Sequence, residues 1–127
     1  VKKIVGIFAL LALLTLFAAA CSGGVAGTTG NTIGLTNDNF AQSSITIKKG
    51  GSITLVNQSS TVHIIANGSW INGNTPDPKL EPGAPVVNNM MFSSANQTET
   101  IGPFNTSGTF HYYCSIHPGM NLTVVVQ

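Results

Sequence analysis

Gly108-Thr109-Phe110-His111-Tyr112-Tyr113-Cys114-Ser115-Ile116-His117-Pro118-Gly119-Met120-Asn121-Leu122-Thr123-Val124-Val125-Val126-Gln127 carries the strongest structural signal in this 127-residue chain. Phe110, Tyr112 and Cys114 alternate with His111 and Tyr113, which is the period of two of a β-strand. Leu122, Val124 and Val126 alternate with Thr123 and Val125 in a second strand. Pro118 and Gly119 punctuate the segment between them, so strand, tight turn and strand follow in order. The turn holds a thiol at Cys114, an imidazole at His117 and a thioether at Met120.

Upstream the same texture continues. Short β-branched runs separated by Gly, Asn and Pro recur from Thr32 onward, and no stretch of useful length has a helical period, which predicts an all-β sandwich. Residues 44–48 alternate, Lys49-Gly50-Gly51 forms a turn and residues 52–57 alternate again, a hairpin-like unit with Ile45, Ile47, Ile53 and Leu55 facing inward. Residues 62–66 form a further strand, with His63 on one face and Val62 and Ile64 on the other. Pro76, Pro78, Pro82 and Pro85 make residues 68–89 a long loop or edge excursion, with a short helical turn at Pro78-Lys79-Leu80-Glu81 and Trp70 as its anchor. Met90-Met91-Phe92 and residues 97–101 are two more short strands.

The other end of the chain reads as an address. Lys2 and Lys3 precede an apolar run over residues 4–20 that ends in Ala18-Ala19-Ala20, directly before Cys21. Residues 1–20 are therefore expected to be an export signal peptide, an uncleaved membrane anchor being the competing reading. Cys21 in that position resembles the lipidated cysteine of the bacterial lipobox, with Ala18 where that motif usually has Leu. Residues 21–31 are then a lipidated Cys and a Gly/Ser/Thr tether, and residues 32–127 the folded domain. The expected location is extracytoplasmic, anchored through lipid to a bacterial membrane at the cell surface or in the periplasm.

Charge narrows the function. Beyond the tether Lys48, Lys49 and Lys79 face Asp38, Asp77, Glu81 and Glu99, a formal balance of −1, which excludes nucleic acid as a partner. The carboxylates are scattered and no G-x-S-x-G motif occurs, so no enzyme site is evident. With Cys21 committed to lipid, Cys114 is a lone thiol in an oxidising compartment, better explained as a metal ligand than as half of a disulfide. His63 is the best placed second imidazole. Two imidazoles, one thiolate and a weakly bound thioether are the donor set of trigonal blue-copper electron-transfer centres.

Three competing assignments are weaker. His111 extends the cluster to H-x2-C-x2-H, a zinc-like spacing, but its odd offset from Cys114 sends it to the opposite face of the strand as a surface residue. Met90 and Met91 could supply the thioether, yet only Met120 has the spacing. A binuclear copper centre, which in related domains needs a second Cys in the ligand loop, is excluded because Cys114 is the loop's single Cys.

Residues 32–127 resemble the cupredoxin family, in particular its plastocyanin, pseudoazurin and amicyanin group. The likeness rests on Ile47-Lys48-Lys49-Gly50-Gly51 before an apolar strand ending in Asn57, on His63 beyond it, and on the run from Gly108 to Met120 quoted above. The C-x2-H-x2-M spacing is similar to the short ligand loop of amicyanins. The resemblance implies an eight-stranded Greek-key sandwich holding one mononuclear copper ion on His63, Cys114, His117 and Met120. It also implies electron exchange at the exposed edge of His117, with Ile116 and Pro118 around it. Family members often carry Asn directly after the first ligand His, where it ties the two ligand loops together. Here that residue is Ile64, and Ser115 or Asn57 is the candidate substitute.

The expected function is thus a monomeric type 1 copper protein carrying single electrons between redox partners by Cu(I)/Cu(II) cycling, with no substrate transformed. With so few charges, docking is expected to depend weakly on salt. The alternatives are a copper-binding, delivery or buffering module at the cell surface without redox turnover, and a surface lipoprotein with a vestigial site. A thiolate held at a strand end favours retained metal and hence the first.

Overall fold

The computed structural model describes residues 28–127; the expected signal segment, Cys21 and most of the tether lie outside the described residues. A single 3-10 turn, Thr28–Asn31, leads into the first strand at Thr32, and no helix among the described residues is long and apolar enough to cross a membrane. Nine strands follow: β1 (Thr32–Leu35), β2 (Ser44–Ile47), β3 (Ile53–Asn57), β4 (His63–Ile71), β5 (Thr75–Pro78), β6 (Met90–Phe92), β7 (Thr98–Ile101), β8 (Gly108–Cys114) and β9 (Asn121–Val126). The all-β sandwich is as expected. The count exceeds eight because β5 and β6, four and three residues long, both pair with β4.

One sheet has the order β1-β3-β7 and the other β2-β9-β8-β4-β5, with β6 also on β4. Alternation sets what lies between them. Ile33, Leu35, Ile53, Leu55 and Ile101 from the first sheet meet Ile45, Ile47, Ile65, Phe92, Phe110, Tyr112, Leu122, Val124 and Val126 from the second in one continuous buried core. Burying each such aliphatic side chain stabilises the fold by roughly 1.5–3 kcal/mol relative to exposure.

Residues 44–57 are not a hairpin. β2 pairs in parallel with β9, whereas β3 pairs in parallel with β1 and antiparallel with β7, so the two strands lie in different sheets. Both still point Ile45, Ile47, Ile53 and Leu55 into the core, which is why alternation alone could not separate the two arrangements. The turn between them is tied to the chain beyond β9 and to the β7–β8 connection rather than closing a ladder: Lys49 N–H donates to Gln127 C=O at 2.9 Å and Gly50 N–H to Phe104 C=O at 2.7 Å. Gly50 has φ +85°, a left-handed conformation that Gly adopts without strain.

The 68–89 segment also departs from expectation. β4 runs on to Ile71 and folds back as a hairpin onto β5, with Gly68↔Pro78 and Trp70↔Pro76 in register. Prolines 76 and 78 are tolerated because β5 closes one end of its sheet, where a missing donor costs no ladder bond. No helical turn forms at residues 78–81. Instead the chain beyond β5 is pinned to β4 by Asn67, whose backbone N–H donates to Val87 C=O and whose C=O accepts from Lys79 N–H. Its side chain completes the clamp, with Nδ2 donating to Pro85 C=O at 3.0 Å and Oδ1 accepting Val87 N–H at 2.6 Å.

Candidate metal centre

The donor residues come from two strand ends that the β4–β8 ladder brings together. His63 is the first residue of β4, and the inward alternation of His63, Ile65 and Asn67 turns its ring into the sandwich. Cys114 is the last residue of β8 and pairs with Ile65, so its thiol lies on the same inner face. Asn57 fixes the approach to His63: its Nδ2 donates to Thr61 C=O at 3.0 Å while Oδ1 accepts from Ser59 N–H and Oγ.

Three backbone bonds shape the turn after Cys114. Cys114 N–H donates to Met120 C=O at 3.0 Å, His117 N–H to Cys114 C=O at 3.4 Å and Met120 N–H to His117 C=O at 3.1 Å. Gly119 at φ +80° supplies the left-handed residue this closure requires, and a Cβ there would stand 3.6 Å from the Gly73 carbonyl oxygen of the β4–β5 turn. The β4–β5 hairpin tip thus borders the ligand turn.

The result is a convergent donor set. The side-chain donor atoms of His63, Cys114 and His117 all lie within 4.8 Å of one another. Cys114 Sγ is 3.3 Å from His117 Nδ1, and the His63 and His117 rings stand 4.8 Å apart between centroids at 57°. Met120 is fully buried beside Leu122 in the same core, whereas His117 is half-buried. Ile116 is 45% exposed, and Pro118 and Gly119 are also exposed. Met90 is half-buried and Met91 exposed on β6.

Chemistry of the donors points the same way. Both ring nitrogens of His63 are buried without any hydrogen-bond partner, an arrangement that is costly unless a metal takes one of them. Burial pushes the His63 pKa below the ordinary imidazole value; the His117 ring lowers it further, and the Thr36 backbone pulls weakly the other way. The ring is therefore held neutral, the form that ligates metal. The Cys114 sulfur accepts the backbone N–H of Ile64 at 3.5 Å, which ties the ligand cysteine to the strand that carries His63.

The tie between the ligand loops, in doubt because Ile64 follows His63, is present in another form. Ser115 N–H donates to Ile64 C=O at 2.8 Å and Ser115 Oγ adds a second bond at 3.3 Å. Asn57 braces only the 57–61 turn. Alternation missed two further residues. Trp70 Nε1–H donates to Cys114 C=O at 2.8 Å, and its ring meets Tyr113 edge-on at 6.0 Å. Asn121 bonds the Trp70 backbone twice, Oδ1 accepting its N–H at 2.7 Å and Nδ2 donating to its C=O at 3.0 Å. Trp70 does anchor the loop, and it also bears on the ligand cysteine's carbonyl.

His111 is a surface residue, as strand parity implies, but it is not idle. Its ring Nδ1 lies 2.7 Å from Glu81 Oε1, and its backbone N–H donates to Glu81 Oε2 at 2.7 Å. Among the described residues the metal-ligating cluster comprises His63, Cys114 and His117, without His111.

A β-sandwich with two imidazoles and a thiol converging on one buried point, and a buried thioether closing the same turn, is a cupredoxin with a type 1 copper site. The chain belongs to the plastocyanin/azurin family of copper-binding proteins, whose family model matches residues 28–127. Solved structures agree on the fold. Amicyanin from Paracoccus versutus superposes with a TM-score of 0.59 at 24% identity, covering 79% of this chain and 83% of that one. A purple cupredoxin from Nitrosopumilus maritimus gives a TM-score of 0.56 at 21% identity, covering 76% of this chain and 98% of that one. No curated protein matches the chain significantly.

Proposed function

We propose that this protein is an extracytoplasmic one-electron carrier, with copper held by His63, Cys114, His117 and Met120 and redox proteins as its donor and acceptor. The observation that carries the reading is the convergence of three donor atoms within 4.8 Å around a His63 ring that has no other partner. Bound copper would supply a one-electron couple. The chain's own part is to fix the ligands before metal arrives: strand ends set His63 and Cys114, three backbone bonds set the turn, and Ser115 joins it to Ile64. Such prior fixing limits rearrangement when the charge at the site changes, which is what a carrier needs.

Electron exchange is assigned to the His117 edge, where Ile116 and Pro118 are exposed. Val62 at 41% and Met91 at 56% exposure, neighbours of His63 and Ile64 in chain and register, extend apolar surface around the strand end that holds His63. Attachment is assigned to a lipid on Cys21 behind the residue 21–31 tether, with the domain monomeric.

Voltammetry of the copper-loaded protein separates a carrier from a buffering module. A reversible single-electron wave, repeated over many cycles with copper retained, is the expected result. Metal loss on the first reduction would instead identify a buffering module and overturn the carrier reading.

A further inference from the structure

Five Asn-x-Ser/Thr sequons occur in the chain, at Asn57, Asn67, Asn96, Asn105 and Asn121. An N-linked sugar needs the side-chain amide nitrogen free and the sequon at the surface. The fold divides the five cleanly. Asn57, Asn67 and Asn121 each commit Nδ2 to a backbone carbonyl, of Thr61, Pro85 and Trp70 respectively, and each also uses Oδ1 as an acceptor. A sugar on any of these would break a bond that shapes the metal centre or clamps the loop beside it.

Asn96 and Asn105 are exposed, and neither side chain has a hydrogen-bond partner among the described residues. They differ in how their sequons are held. Asn96 N–H donates to Asn57 C=O at 2.7 Å, Gln97 C=O accepts Asn57 N–H at 2.9 Å, and Thr98 already belongs to β7. Gln97 is further fixed by Oε1 accepting Ser93 N–H and Nε2 donating to Met91 C=O. Asn105, Thr106 and Ser107 are all exposed in the β7–β8 connection and make no such bonds. They also precede Gly108, at the end of β8 remote from Cys114, where Gly108 pairs with Val126.

We infer that Asn105 is a glycan acceptor, carrying an N-linked sugar on the pole of the sandwich opposite the metal centre. The donor is a polyprenyl-phosphate-linked saccharide. Asn105 Nδ2 forms a bond to the sugar C1, the C1–O bond to phosphate breaks, the amide proton passes to a carboxylate of the transferase, and polyprenyl phosphate leaves. The sugar hydrates a surface whose charged residues are only 7% of the chain, and it leaves His117 unobstructed. The assignment rests on the extracytoplasmic reading, because such donors present their sugar outside the cytoplasm.

The full chain recovered from its own host tests this by glycopeptide mass spectrometry, with exposure to protease in intact cells reporting its side of the membrane. The expected result is a saccharide mass on the Asn105 peptide, with or without one on Asn96, lost completely in Asn105→Gln and in Ser107→Ala and kept in Thr106→Ala. Bare Asn105 on externally exposed chain overturns the inference while leaving the location intact. A sugar that persists in Asn105→Gln, marking hydroxyl linkage, also overturns it. Chain protected inside the cell overturns the extracytoplasmic reading itself, and the acceptor role with it. The blue absorption of copper-loaded Asn105→Gln is expected unchanged, which establishes that the variant is folded.

Discussion

The ligand turn after β8 and the segment from Gly68 to Asn89 rest on the same β4–β8 pair, yet they are held by different means. The turn closes on itself through backbone bonds among Cys114, His117 and Met120, all within seven residues. The segment is held by side-chain ties between residues far apart in the chain: Asn67 and Tyr112 donate to Pro85 C=O, Glu81 of the segment takes the backbone N–H and ring of His111, and Asn121 fastens the Trp70 backbone. A site built on local closure can be rigid at small cost in chain entropy, whereas a long connection needs long-range ties to be ordered at all. Damage to the segment should therefore cost stability and spare the site's spectrum.

The strongest way to break that distinction is Asn67→Ala. Pro85 C=O keeps the Tyr112 hydroxyl at 3.1 Å, but the buried Val87 N–H loses its acceptor. The expected loss is about 2–3 kcal/mol of unfolding free energy by urea titration, with the copper-thiolate absorption maximum unmoved. A shifted maximum would mean that segment and site are one unit.

Trp70→Phe probes the side-chain hydrogen bond that joins the two regions. Losing the indole donor to Cys114 C=O should cost about 1 kcal/mol in urea and, unlike Asn67→Ala, should shift the copper band or the reduction potential. If both observables hold still, that bond is ornamental.

The metal-free protein gives a pH test. The His63 pKa is lowered in the fold, so the unfolded chain binds more protons between that lowered value and about 6.5. Stability is full above about 6.5 and declines as pH falls through that window. His63→Gln should flatten that part of the profile of melting temperature against pH, and saturating copper should shift the loss to lower pH by competing with the proton.

The smallest effect is expected from Glu81→Gln. The pair with His111 is half-exposed, so its loss should cost under about 1 kcal/mol. Faster hydrogen exchange confined to amides of residues 79–89 would mark the segment as the less stable unit.

The same contrast explains what could be read from the sequence. β8, β9 and the turn between them declare themselves through alternation, Pro118-Gly119 and ligand spacing, because their structure is local. The partition of β2 and β3 into separate sheets was illegible, since inward-facing Ile45, Ile47, Ile53 and Leu55 suit a hairpin equally well. Asn67, Trp70 and Asn121 act through side-chain hydrogen bonds over 18 to 51 residues of separation, for which no periodic pattern exists. Ser115 was visible only as one of two candidates. Its backbone N–H does most of the tying, a role that residue type does not encode.

The most direct measurement is the visible and EPR spectrum of the folded domain after addition of Cu(II), recorded beside Cys114→Ser. An intense blue or violet thiolate-to-copper band with narrow hyperfine splitting, absent in the mutant, is the predicted result. A colourless product, or an ordinary tetragonal Cu(II) spectrum indifferent to Cys114, would contradict the assignment of His63, Cys114, His117 and Met120 as one copper site.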